Sequence, residues 1–378
     1  MSGVTPERVV ELAAGWYPDC ADNWHTMLAR LRAQAASFVP TWLSALAASG
    51  VELPPHLAAE VADSRRRTAA LGELTRAVCD RFPEVSAVKG IAVADRYPAE
   101  LVRHMNDVDL VVSDERSLWP VVEFLRDERG LTVVKSLTRV PLPDGPALLV
   151  SVEAMPDDPL QQRINAEVGC FGWTGDGAAV PGRRRLLADR YGPAEHFAMI
   201  VGERLEGGFS PKDVVDAAVL GAALDRAAAH RLLGLVTELR ALPEYQELCE
   251  LVSAAGFPVE LVEPPAAAVR AQRRQRDQDA LRRAVRHPVA ESLRLLQRAE
   301  IYPCRARGAR RAAWRVVERR LPVQSPVRNR LWGFAVPARR IPADLRAGLR
   351  TPVGNFVLVN GSVIGAHWQR NPAVEFDV

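Results

Sequence analysis

Apolar residues over the first eighty positions recur at i, i+3, i+4 spacing. "NWHTMLARLRAQAASFVPTWLSALAASG" carries that helical period, and Gly50 with the following "ELPP" punctuates it. "HLAAEVADSRRRTAALGELTRAVCDRF" predicts a second long helix ending at Pro83. The period then changes. "VSAVKG" reads as a short strand feeding a glycine turn, "IAVADRY" as a helix stopped at Pro98, and the β-branched "DVDLVV" as a strand. "LWPVVEFLRDERG" reads as a helix, with "LTVVKSL" and "ALLVSVEAM" as strands. Residues 193–255 return to helix, and Ser210 or Pro211 suits the start of "KDVVDAAVLGAALDRAAAHRLLGLVTELRAL" as N-cap or N1. "VEPPAAAV" reads as a linker, and "NFVLVNGSVIGAHW" as a hairpin around Asn360-Gly361.

This order predicts an α+β chain in five parts. They are a helical region over 1–84, a small mixed sheet with helices over 85–190, a helical domain over 191–261, an Arg-rich helical segment over 262–350 and a β-hairpin tail over 351–378. A length of 378 residues suits several domains rather than one small core. No run of apolar residues is long enough for a membrane span. The polar start and five scattered cysteines without a CxxC pair fit a reducing cytoplasm. HExxH, Walker, GxGxxG and GxSxG patterns are missing, which argues against zinc hydrolases, P-loop enzymes, dinucleotide binders and serine hydrolases. Charge changes the picture locally. Residues 266–350 hold 22 arginines against 6 acidic residues, while the whole chain carries only +3. That segment is either a solvated basic face or a surface for a polyanion such as RNA.

The candidate chemistry lies in "VKGIAVADRYPAELVRHMNDVDLVV". Residues i and i+2 of a strand share a face, so Asp107 and Asp109 would project together. Two such carboxylates repel unless a cation lies between them, and Mg²⁺ uses one or two carboxylates plus substrate phosphates. Gly90 lets backbone approach a phosphate closely. Taken singly, a DxD is also compatible with an exposed edge or a cap, Lys89 with a solvated strand end, and Arg103 with a partner of Asp107.

A glycine turn, a helix and then h-D-h-D-h on the next strand resembles the polymerase-β-type nucleotidyltransferase superfamily. More closely, Lys89, Gly90, Tyr97, Pro98, Arg103, Asp107, Asp109 and Leu110 match the pattern of an uncharacterised bacterial nucleotidyltransferase family. The similarity runs over about residues 5–255. Lys212, Asp213 and Asp216 also resemble the K-D-x-x-D motif of AbiEii-type nucleotidyltransferase toxins. The resemblance implies transfer of a nucleoside monophosphate from an NTP to an acceptor, with pyrophosphate release and two Mg²⁺ ions. It implies Asp107 and Asp109 as metal ligands, and Lys89, Gly90, Arg103, Lys212, Asp213 and Asp216 as nucleotide-binding residues. The superfamily's Gly-Ser is Lys-Gly here, so no serine hydroxyl supports the phosphate. The third catalytic and metal-binding carboxylate is expected on a later strand beside the pair. Glu153 is the favoured candidate, Ser151 shares its face, and Asp157 and Asp158 follow. Acids in a first helical turn are also favoured by the helix dipole alone, which is the plain reading of Asp213.

The acceptor is open. The helical lead-in favours a small molecule or peptide of a biosynthetic pathway. The toxin-like motif and the arginines favour a tRNA 3′ end, although few aromatic residues interleave those arginines. Without its third carboxylate, the chain would be a non-catalytic nucleotide-binding module.

Overall fold

The computed structural model describes residues 3–112, 115–131, 133–139, 148–155, 158–168, 191–203, 208–286, 330–336, 348–351 and 354–359. The elements begin with helices α1 (Pro6–Trp16), α2 (Trp24–Gln34), α3 (Val39–Ala48) and α4 (Pro55–Arg81). Strand β1 (Ser86–Val88), helix α5 (Gly90–Ala94), strand β2 (Val108–Val112) and helix α6 (Glu115–Asp127) follow. Strands β3 (Val133–Arg139), β4 (Leu148–Met155) and β5 (Asp158–Val168) come next. Then come helices α7 (Pro193–Glu203), α8 (Pro211–Gly221), α9 (Arg226–Glu238), α10 (Leu242–Ala254) and α11 (Ala266–Arg286). Strands β6 (Arg330–Val336), β7 (Gly348–Thr351) and β8 (Gly354–Val359) end the described chain. The fold is α+β, and none of the described helices is long and apolar enough to cross a membrane.

The chain divides into two compact units. The first comprises Met1–Arg81, Ser86–Val108 and Val180–Arg276; the second comprises Phe82–Val85, Asp109–Ala179 and Asp277–Val378. In the first unit, helices start where side chains can satisfy free N–H groups. Thr5 caps α1, Asn23 caps α2, Ser210 caps α8 and Asp225 caps α9. Gly50, after α3, and Gly256, after α10, take the positive φ values of 87° and 71° that these turns require. Helix α3 is buried along most of its length, packed by α1, α2 and α4. Its Trp42 and Leu43 join Phe38, Phe197, Val214, Leu220, Leu232 and Tyr245 in one apolar core.

The second unit is a sheet with strands in the order β2-β5-β4-β3-β6-β8-β7. From β5 to β7 every neighbouring pair is antiparallel. Helix α6 packs on β4 and β5. Its Leu118, Val121, Val122 and Leu125 are fully buried, as are Leu110 of β2 and Ala166 of β5.

Three features depart from the sequence-based expectation. Strand β5 was not expected, because "DPLQQRINAEV" is mostly polar; it buries Ile164 and Ala166, two residues apart. Strands β6 and β7 fall inside the stretch expected to be helical throughout. "RLWGFAV" carries β-forming Trp, Phe and Val, which the surrounding arginines obscured. Strand β8 lies between β6 and β7. The expected Asn360-Gly361 turn lies outside the described residues.

Candidate functional site

Asp107 immediately precedes β2 and Asp109 is its second residue; both are half-buried. Val108, Leu110 and Val112, on the alternate positions, are buried. The pair is thus positioned by an apolar strand while both residues keep partial access to solvent.

The chain leading to Asp107 has no regular structure between Tyr97 and Val108, yet Leu101, Val102, Arg103 and Met105 are buried. Buried backbone groups in such a segment need partners. Helices α3 and α4 supply them. Thr41 donates its hydroxyl to the Val102 carbonyl at 2.7 Å, and Ser44 Oγ accepts the Val102 N–H at 2.9 Å. Thr68 donates to the Arg103 carbonyl at 3.0 Å, and Arg65 to the Glu100 carbonyl at 2.9 Å. His104 bridges the two sides. Its Nε2–H donates to Asn106 Oδ1 at 2.7 Å, which leaves Nδ1 to accept the Ser64 hydroxyl at 2.8 Å. Burial holds the His104 pKa below its usual value, in keeping with this neutral tautomer.

The same segment is tied to α8 by a buried ion pair. Arg103 Nε donates to Asp216 Oδ1 and Nη2 to Oδ2, both at 2.8 Å. Tyr97 donates its hydroxyl to Oδ1 at 2.5 Å, and Lys212 Nζ donates to Oδ2 at 3.3 Å. The Asp216 residue is 1% exposed and Arg103 is 6% exposed. Burial alone would disfavour the Asp216 charge. The charges of Arg103 and Lys212, and the hydrogen bonds from Arg103 and Tyr97, outweigh it and hold the carboxyl well below its usual range. Burial would also lower the Arg103 pKa, but Asp216 reverses the sign and raises it. Burial first, then the adjacent Asp216 charge, pushes the Tyr97 phenol up.

No family model, curated protein or solved structure matches this chain.

Lys89 and Gly90 form the elbow between β1 and α5. Lys89 takes φ 51° and ψ −118°, a conformation rare outside glycine, and Gly90 takes φ 32°. The Lys89 N–H donates to His196 Nδ1 of α7 at 3.1 Å. His196 is 3% exposed. Burial is the largest influence on it; Arg96, Lys89 and Arg103 add to the depression, Glu195 opposes it, and the pKa falls to about 4. The imidazole therefore stays neutral and keeps Nδ1 as an acceptor. Glu195 is held in turn by Arg231 Nε at 2.9 Å and by the Gly192 N–H at 2.8 Å.

Lys89, Gly90, Arg103, Asp107, Lys212, Asp213 and Asp216 belong to the first unit, and Asp109 and Glu153 to the second. Arg103 departs from the expected pairing, and Asp213 follows its plain first-turn reading. Arg103 pairs with Asp216, not with Asp107. Asp213 closes a capping box, its Oδ2 accepting both the Ser210 N–H and the Ser210 hydroxyl at 2.8 Å. The backbone of Glu153 lies in β4, with β5 between that strand and β2, and Asp158 begins β5 itself. The carboxylates of Glu153 and Asp158 lie outside the described residues. Among those described, no three His, Cys, Asp or Glu side chains form a metal-binding group. In the Arg-rich segment, Arg270, Arg273 and Arg274 are exposed on α11. Arg276 is instead committed to Glu244 and the Arg240 carbonyl.

Sequence reasoning missed His196 and the hydroxyl residues Thr41, Ser44, Ser64 and Thr68. Each sits in an ordinary amphipathic helix, and nothing in a linear pattern reveals which backbone group a serine or threonine will meet.

Proposed function

We propose that this chain is an Mg²⁺-dependent nucleotidyltransferase of the polymerase-β type, acting on an NTP and, by preference, a small-molecule or peptide acceptor. The observation that carries the reading is the Asp107–Asp109 pair. Two half-buried carboxylates two residues apart open a strand whose alternate positions are buried, and the segment before them is held by side-chain bonds on several sides. Hard oxygen donors of this kind suit Mg²⁺, and an arrangement fixed before binding lowers the reorganisation needed to hold it. The resemblance of "VKG…YP…R…DVDL" to nucleotidyltransferases supports the same assignment.

In the reaction, an acceptor oxygen forms a bond to the α-phosphorus while the bond from that phosphorus to pyrophosphate breaks. Mg²⁺ held by these carboxylates would supply positive charge against the phosphates. Asp107 and Asp109 would hold the metal. The Lys89–Gly90 elbow and Lys212 would offset triphosphate charge. Glu153 of β4 is the proposed third carboxylate and would take the acceptor's proton.

A second reading, a nucleotide-binding module without transferase activity, is favoured by the separation of β4 from β2 by β5. If Glu153 does not reach the pair, the acceptor loses its base. Incubation of the chain with each α-labelled NTP, Mg²⁺ and cell extract separates the two. Label transfer that disappears in Asp107→Ala/Asp109→Ala supports the enzyme. Nucleotide binding without transfer supports the module, and transfer that persists in the double variant overturns the site. A labelled product sensitive to ribonuclease would place RNA as the acceptor, in line with the exposed arginines of α11.

A further inference from the structure

The Asp216 carboxylate is saturated. An ionised carboxylate offers about four acceptor positions. Here Oδ1 takes Arg103 Nε–H and the Tyr97 hydroxyl, and Oδ2 takes Arg103 Nη2–H and Lys212 Nζ. With the residue 1% exposed, no position remains for a metal ion or a ribose hydroxyl. Two of the donors, Tyr97 and Arg103, stand at the start and in the middle of the irregular stretch before Asp107. The Arg103 fork is bidentate, so it fixes orientation as well as distance. Asp107 follows Arg103 by four residues, and the carbonyls of Val102 and Arg103 are pinned by Thr41 of α3 and Thr68 of α4.

We propose that Asp216 is a positioning residue whose bonds to Arg103 and Tyr97 lock residues 97–107 onto α8 and thereby set where the Asp107 carboxylate stands. The lock itself is independent of what the chain catalyses; its consequence at Asp107 rests on the nucleotidyl-transfer reading. Asp216 then acts through the backbone and touches neither nucleotide nor metal. Of the charged groups in the network, Lys212 is the most exposed, with 17% of its side chain exposed at the longest of the four bonds.

The test uses the full chain with two variants. Asp216→Asn alone leaves buried cations unpaired and can fail to fold. Arg103→Met/Asp216→Leu removes both charges and keeps apolar volume, a replacement that buried ion pairs tolerate well. Tyr97→Phe removes one donor and no charge. Amide hydrogen exchange of peptides covering 97–107 is compared with that of α1–α4, and Mn²⁺ affinity is measured by electron paramagnetic resonance. In the double variant we expect exchange over 101–107 to rise about ten-fold or more, with α1–α4 unchanged. We expect Mn²⁺ affinity to fall by a similar factor, and Tyr97→Phe to show the same pattern more weakly. Unchanged protection over 101–107 in a folded double variant overturns the lock, and Tyr97→Phe decides the matter alone if the double variant does not fold. Lost protection with wild-type Mn²⁺ affinity overturns the link to Asp107. Wild-type protein that binds no Mn²⁺ through Asp107 and Asp109 overturns the nucleotidyl-transfer reading instead, and the exchange result still decides the lock.

Discussion

Asp216 shows how one residue can be expensive to remove without taking part in chemistry. Breaking a buried ion pair from one side leaves the other charge stranded, which typically costs about 3–5 kcal/mol. Asp216→Asn strands Arg103, 6% exposed, and loosens Lys212. Its urea midpoint should therefore fall by more than that of Tyr97→Phe, which should lose about 1.5–3 kcal/mol with a single hydrogen bond to a charged group. Equal losses in the two variants would mean that the ion pair carries no special weight. His196 gives the opposite kind of sensitivity. Its pKa lies at about 4 in the folded chain, against about 6.5 when unfolded. Between those values the unfolded state binds the extra proton, so the contribution is complete above pH 6.5 and is lost as pH falls toward 4. The shift corresponds to about 3 kcal/mol. His196→Asn keeps an acceptor for the Lys89 N–H and does not titrate. Its stability, followed by urea unfolding at a series of pH values, should decline less than wild type between pH 6.5 and 4. His104, also held down by burial, keeps part of the slope in both proteins. An unchanged slope would mean that His196 does not titrate in the buried bond to Lys89.

At the scale of elements, α8 begins where its chemistry can be tested without disturbing the ion pair. Ser210 and Asp213 bond reciprocally, and Pro211 follows at the first helical position. Ser210→Ala should lose about 1 kcal/mol, read as a shift in thermal midpoint with an unchanged circular dichroism spectrum. No shift would mean that water replaces the cap. This cap was legible in "SPKD", as were most helices of the first unit, because cap, period and punctuation coincide there. Strand β2, which Asp107 precedes and Asp109 enters, was legible because apolar residues alternate with the carboxylates. Strand β5 was not, since only Ile164 and Ala166 mark its buried face. The partner of Arg103 was hidden for a different reason. Asp107 is four residues away and Asp216 is 113 residues away, so chain proximity pointed to the wrong carboxylate. Tertiary pairing of that kind is decided by which helix packs alongside, here α8, and a linear motif carries no record of it.

At the scale of the whole molecule, the Asp216 network, the Lys89 elbow and the hydroxyl contacts to residues 97–107 all lie inside the first unit, while the antiparallel strands β3 to β8 belong to the second. A chain with two compact units need not unfold in a single step. The two kinds of damage should then separate. Asp216→Asn removes interactions confined to the first unit, so hydrogen exchange should accelerate in α7, α8 and residues 97–107 before it does in β3 and β4. A substitution in the core of α6, such as Leu125→Ala, removes a fully buried side chain from the second unit and typically costs about 2–5 kcal/mol. Its effect should appear first in α6, β4 and β5. Deuterium uptake by peptide, followed in both variants under conditions where wild type is protected, reads the two patterns directly. If both variants accelerate exchange uniformly along the chain, the units unfold as one, and the stability of the strand face depends on the helical unit as a whole rather than on the segment that delivers Asp107. If the patterns separate, the helices of the first unit act locally. They fix the approach to Asp107, and the sheet beyond Asp109 keeps its own stability.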